Sequence, residues 1–141
     1  MNEYDVKVIK VVDGDTVDVD IDLGFGIVLT DERVRIMGID TPESRTSDKV
    51  EKVFGLLAKE RLKELLGETA VLLTTEDRHG EDMKGKFGRV LGNFRSGGRT
   101  VTDILIEEGH AVAYHGQAKE DIMDLHIINR QRLIAEGKAD I

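Results

Sequence analysis

Polar and apolar residues alternate strictly along "TVDVDIDL" (16–23), with Val17, Val19, Ile21 and Leu23 on one face and Asp18, Asp20 and Asp22 on the other. That period of two predicts a half-buried strand. The β-branched run "DVKVIKVV" (5–12) precedes it. After the turn signal "GFG" (24–26), "RVRIMGI" (33–39) resumes the alternation, with Val34 and Ile36 opposite Arg33 and Arg35. Three sequential antiparallel strands are expected. The period then changes. From Ser47 to Gly67, the residues Val50, Val53, Phe54, Leu57, Ala58, Leu62, Leu65 and Leu66 fall at three- and four-residue steps. This predicts an amphipathic helix with Gly67 just beyond its end and Gly55 weakening its first turns. "TAVLLTT" (69–75) and "RVLGNF" (89–94) predict two more strands, separated by the charge-rich loop "EDRHGEDMKGKFG". Thr100 is placed to cap a short helix through Glu108, stopped by Gly109. A last helix, about Lys119 to Glu136, carries Ile122, Leu125, Asn129 and Leu133 on one stripe.

Five strands with helices inserted late in the order predict a mainly β, α+β protein: a five-stranded antiparallel OB-fold barrel with about three helices. At 141 residues, with no internal repeat or Ser/Pro linker, the chain reads as a single domain over 1–141. It has no cysteine, so neither a disulfide framework nor a thiolate metal site is available. The four histidines, His79, His110, His115 and His126, lack zinc-motif spacing and are read as surface or packing residues. No apolar run approaches membrane length, and "MNEYDVKVIK" is not a signal peptide. A monomer in the cytoplasm is expected, unless a secretion leader was trimmed.

Charge changes the picture in one region. With 20 basic and 28 acidic residues the formal net charge is −8, which argues against coating a polyanion by bulk charge. Residues 1–32 hold nine acids and two bases, whereas residues 78–102 hold six bases and two acids. That basic segment reads either as a phosphate-facing patch or as a solvated loop followed by a strand and turn.

The chain's single proline lies in "GIDTPE" (38–43). Pro42 fixes its own φ and pushes Thr41 into an extended conformation, so Asp40 to Glu43 cannot be helical. The Thr41 carbonyl is then free to point the same way as a neighbouring carboxylate, a combination that suits a hard divalent cation such as calcium. A strand end followed by an X-Pro turn with ordinary surface acids is the other reading.

In order along the chain stand "VVDGDTV", "RVRIMGIDTPE", a helix, and "KFGRV" leading into a fifth strand. Together they resemble the staphylococcal (micrococcal) nuclease, or thermonuclease, family over roughly residues 6–116. The resemblance implies a calcium-dependent, sugar-nonspecific nuclease on an OB-type barrel, hydrolysing phosphodiester bonds of DNA and RNA. Water would attack phosphorus with departure of the 5′-oxygen, giving 3′-phosphate ends. By the same resemblance Asp15, Asp40 and the Thr41 carbonyl hold the calcium ion, leaving about half of a shell of 6 to 8 oxygens open. Glu43 corresponds to the residue proposed as general base, and Arg35 and Arg89 to the two guanidiniums that clamp the phosphate.

The pattern departs from the family in the loop before Arg89, where Asp and Tyr are frequent and this chain has Gly85 and Phe87. Lys86 matches the family's basic residue there. Lys84, Lys86, Phe87 and Tyr114 are the expected substrate contacts, with His115 competing for the place of Tyr114. A catalytically inactive OB-fold module that only binds nucleic acid is the alternative function; a decayed copy of that kind is expected to lose an Asp, an Arg or the Glu, and here all are present. A calcium-binding protein without catalysis leaves Arg35 and Arg89 unexplained.

Overall fold

The computed structural model describes residues 2–74 and 89–141. Within them the order is β1 (Asn2–Asp13), β2 (Thr16–Gly24), β3 (Ile27–Ile36), β4 (Ile39–Asp40), α1 (Lys49–Leu66), β5 (Thr69–Thr74), β6 (Val90–Ser96), β7 (Arg99–Thr100), α2 (Val101–Glu107), β8 (Val112–Ala113) and α3 (Lys119–Ala135). The first three strands form the expected meander, with Val11 opposite Val17 and Val17 opposite Val34. β5 pairs antiparallel with β1 and with β6, and β6 pairs parallel with β3, Arg35 lying opposite Leu91. β1, β2, β3, β6 and β5 thus close an OB-type barrel.

One parallel seam in an otherwise antiparallel barrel is a consequence of counting. Strand directions cannot alternate around a closed ring of odd number, so one neighbouring pair must run the same way. That pair is β3 and β6, and it sets the start of β6, which Arg89 immediately precedes, beside Val34 and Arg35.

The alternation along β2 and β3 works as expected: Val17, Val19, Ile21, Val34 and Ile36 are buried with Leu72, Val90, Phe94 and Leu105. Leu23, at the hairpin end, is exposed. α1 is capped by Asp48, whose carboxylate accepts from the Val50 and Glu51 amides at 3.0 and 3.1 Å. Its buried side carries Phe54, Ala58, Leu62 and Leu66. A paired hydrogen bond from Arg61 to Glu108, 2.6 and 2.9 Å, ties α1 to the end of α2 and holds the Glu108 carboxyl below its ordinary range.

α3 departs from the stripe expected of it. Leu133 is buried, but Leu125 is 43% exposed, and the helix's other buried residue is His126. Apolar side chains occur all round this helix: Ile127, Ile128 and Ile134 face outward, so periodicity marks no single inner face. Its apolar anchorage is a small satellite cluster of Phe54, Leu133 and Ala139, separate from the barrel core.

An element held by so few apolar contacts should open on its own. Leu133→Ala is expected to lower the opening free energy of α3 by about 2–5 kcal/mol, the usual range for such a truncation. Hydrogen exchange should then show α3 amides losing protection while β1, β2 and β3 keep theirs. Equal loss throughout the barrel would show instead that α3 is part of the main cooperative unit.

Candidate active site

The site is assembled where two loops meet α1. The first is the tight turn Asp13–Gly14–Asp15–Thr16 between β1 and β2. The second runs from Met37 through β4 to the α1 cap at Asp48. α1 lies so close on both that its neighbours have no room for a Cβ. One added at Gly14 would stand 2.7 Å from the Ala58 Cβ, and one at Gly55 would stand 2.2 Å from the Glu43 carbonyl oxygen. Side chains then tie the loops together. Asp13 accepts from the Ser44 amide at 3.0 Å and from its hydroxyl, and Glu51 accepts from the Glu43 amide at 3.1 Å.

Gly38, at φ +82°, turns the chain between β3 and β4, so strict alternation from Arg35 to Asp40 is broken there. Arg35 donates to the carbonyls of Ile36 and Ile39, at 2.6 and 2.8 Å, across that turn. Its guanidinium is 3.5 Å from Asp15 Oδ2. Asp15 also accepts from the Thr16 hydroxyl at 2.9 Å and the Thr41 amide at 3.3 Å. Burial pushes the Asp15 carboxyl above the ordinary carboxylate range; Arg35 and these two hydrogen bonds offset part of the rise, and the charge of Asp40 adds to it. Thr41 is buried, and its hydroxyl has no partner among the described residues.

Asp40 is paired to Val112 through the β4–β8 ladder, and its Oδ2 lies 2.7 Å from His126 Nε2. Sequence reading passed over His126 as a packing residue; it is buried, and it joins α3 to the site. A cleft of ≈ 540 Å³ is lined by Arg35 of β3, by Asp40, Thr41, Pro42 and Glu43 of the second loop, by Glu51 of α1, by Arg89 and Tyr114, and by Lys119, Ile122, Met123, His126 and Arg130 of α3. Tyr114 lines it, while His115 is exposed and its amide donates to Gln117. Lys84, Lys86 and Phe87 lie outside the described residues.

Two further bases of the 78–102 segment point elsewhere: Arg95 pairs with Glu3 and Arg99 with Glu107, all four side chains largely exposed. Neither lines the cleft. What was missed in the sequence is the α3 wall, whose positions 119, 122, 126 and 130 fall at steps of three and four. A histidine and an arginine one turn apart, amid isoleucines, were its only signal.

A five-stranded barrel with carboxylates and guanidiniums gathered in one cleft beside its parallel seam is an OB-type protein with an ionic site. Residues 33–136 match the family described as staphylococcal nuclease homologue. The chain is 35% identical over 111 residues to the SPbeta prophage-derived endonuclease YokF of Bacillus subtilis (strain 168), covering 78% of this chain and 34% of that protein. It is 31% identical over 112 residues to Thermonuclease of Staphylococcus hyicus, covering 79% of this chain and 60% of that protein. The chain therefore spans less than two thirds of either relative, and it belongs to the staphylococcal nuclease family. Asp15 precedes the matched segment 33–136; folding brings it to Thr41.

The buried Asp15 charge gives a stability prediction with a definite sign. A carboxyl whose pKa is raised by folding detracts from stability once ionised, and not at all below about pH 3.9, where it is protonated in both states. Asp15→Asn should therefore raise Tm at pH 7 in chelator and leave it near the parent value at pH 3. A lower Tm at pH 7 would mean that the hydrogen bonds to this carboxylate outweigh its desolvation.

Proposed function

We propose that the chain is a calcium-dependent, sugar-nonspecific nuclease that hydrolyses phosphodiester bonds of DNA and RNA, with departure of the 5′-oxygen and 3′-phosphate ends. The observation carrying this reading is the meeting of Arg35, Arg89, Asp40 and Glu43 in one cleft, with the part-buried Asp15 3.5 Å from Arg35. Family membership supports it.

Asp15, Asp40 and the Thr41 carbonyl are the residues assigned to the ion. Their fit rests on charge: Asp15 is a buried carboxylate whose partial neutralisation by Arg35, at 3.5 Å, leaves its pKa raised, and Asp40 repels it further. Held by these residues, a divalent cation would supply positive charge beside Asp15 and Asp40 and a Lewis acid for a phosphate oxygen. Among the described residues no group of three His, Asp or Glu side chains is placed to hold a metal ion, so the assignment rests on two carboxylates and a carbonyl.

Arg35 spends two N–H groups on backbone carbonyls, so its plane is fixed before substrate arrives. Donors held in advance stabilise charge growing on the phosphate without reorganisation. Arg89 provides the second fork from the far side of the seam. Glu43, exposed beside Asp40, is placed to orient the attacking water or take its proton. His126 fixes one oxygen of Asp40, the kind of support that sets a ligand's orientation.

The test is digestion of single- and double-stranded DNA and RNA in calcium, in magnesium and in chelator, with end-group analysis. Cleavage in calcium, little in magnesium and none in chelator is expected; equal cleavage in chelator would overturn the ion's role. Arg35→Lys and Arg89→Lys should each lower kcat by about 10²-fold or more, since a point charge does not replace a planar fork. Glu43→Gln should lower kcat and remove the acid limb of its pH profile. Near-parent kcat for Arg89→Lys would refute the clamp. Nucleic-acid binding with no cleavage in any metal would leave the inactive binding module as the function.

A further inference from the structure

Arg130 differs from the paired arginines, and also from Arg45, which is exposed where Arg130 is half-buried. Arg33, Arg61, Arg95, Arg99 and Arg132 are each paired with a carboxylate, and Arg35 is held by carbonyls and lies near Asp15. No described carboxylate or carbonyl accepts a hydrogen bond from Arg130, and its Nε is buried without an acceptor. What supports it is an aromatic face: the guanidinium carbon lies 5.6 Å from the centre of the Phe54 ring. The residue also lines the cleft, one helical turn beyond His126, which contacts Asp40. A turn advances about 5.4 Å, so Arg130 stands beside the proposed reaction centre and not in it.

A half-buried guanidinium with no carboxylate in contact carries an unmet electrostatic demand, and packing over Phe54 leaves its terminal N–H groups the means to meet it. Lys119, about three α3 turns earlier at the exposed start of the helix, lines the same cleft but stands well apart from Arg130. The anion that would meet Arg130 has to reach the cleft in step with the group held by Arg35 and Arg89. A polymer with an anionic group at every repeat does so.

We propose that Arg130 forms a subsite for a second phosphodiester of the bound nucleic-acid strand, flanking the one that is cleaved. This deepens the nuclease reading and rests on it. The consequence is a preference for chain length: substrates carrying neighbouring phosphates gain from α3, and a lone phosphodiester does not.

The experiment compares the parent chain with Arg130→Gln and Arg130→Lys, each checked for an unchanged circular dichroism spectrum and Tm. Two substrates are used, a fluorescent single-stranded oligodeoxynucleotide and bis(p-nitrophenyl) phosphate, which has one phosphodiester and no neighbour. For Arg130→Gln, KM on the oligonucleotide should rise about tenfold, the worth of one charge-assisted contact. Its slope of log KM against log salt should shrink by about 0.7, one single-strand phosphate contact. Arg130→Lys should restore most of the salt slope. The loss of kcat/KM on bis(p-nitrophenyl) phosphate should be several-fold smaller than on the oligonucleotide. Equal losses on both substrates would mean that Arg130 only braces Phe54 and α3, and would overturn the subsite. So would an unaltered salt slope. If the parent itself neither cleaves the oligonucleotide nor binds it by fluorescence anisotropy in calcium, the nuclease reading fails first, and the subsite with it.

Discussion

Helix α1 lies against the two site loops at backbone contact distance, and the geometry of the cleft follows from that approach. At Gly55 the Glu43 carbonyl passes through the space of a side chain, and at Gly14 the opposite turn meets Ala58. Glycine inside a helix costs about 1 kcal/mol relative to alanine. The chain accepts that cost in the middle of its longest helix, where it lets Thr41 to Ser44 be clamped between a helix and a turn. Asp13 and Glu51 then take up the backbone amides of Ser44 and Glu43 from either side. A segment that proline already keeps extended thus becomes a fixed platform, and fixed elements hold functional groups better than mobile loops do.

On that platform the fold brings two carboxylates into mutual repulsion and buries one of them. Arg35 relieves this only in part, because its N–H groups are committed to the Ile36 and Ile39 carbonyls. His126 engages Asp40 from a helix that has little apolar anchorage of its own. The barrel therefore supplies Asp15 and Arg35, while α3 supplies the group that orients Asp40. Anything that strengthens the site's hold on Asp40 also bears on how firmly α3 is docked.

The barrel was legible because its strands alternate: Val17, Val19, Ile21, Val34 and Ile36 are apolar at every second place and point inward. α1 was legible for the same reason at the other period. Closure through a parallel β3–β6 seam was not, since long-range pairing leaves no local trace, although an odd strand number requires it. In the site, motif order and resemblance drew Asp15, Arg35, Asp40, Glu43 and Arg89 out of the sequence, and Arg35, Asp40, Glu43 and Arg89 share the cleft. The α3 wall escaped. Its inward residues are Lys, Ile, His and Arg, whose mixed polarity gives no hydrophobic signal, and its outward isoleucines give a misleading one. Asp13, at the β1–β2 turn, serves as the anchor of Ser44. Gly55 looked like a weak point in a helix and is a contact with the Glu43 backbone.

The chain's acidity reads differently once each charge is located. Asp18, Asp20 and Asp22 lie on the outward side of β2, and Asp18 already pairs with Arg33. Arg95 and Arg99 are likewise balanced by Glu3 and Glu107. These three outer arginines are thus spoken for, while the net charge of the chain remains negative. The cleft is different, holding Arg35, Arg89, Lys119 and Arg130 against Asp40, Glu43 and Glu51. At physiological salt, charges are screened beyond about 8 Å. Charges outside the cleft therefore act only weakly on what lies inside it. Arg35 is oriented there by carbonyls, with Asp15 3.5 Å away, and Arg130 packs over an aromatic ring with no carboxylate in contact. An acidic protein can thus keep guanidiniums facing one cleft, because carbonyls and a ring, and not carboxylates alone, hold them there.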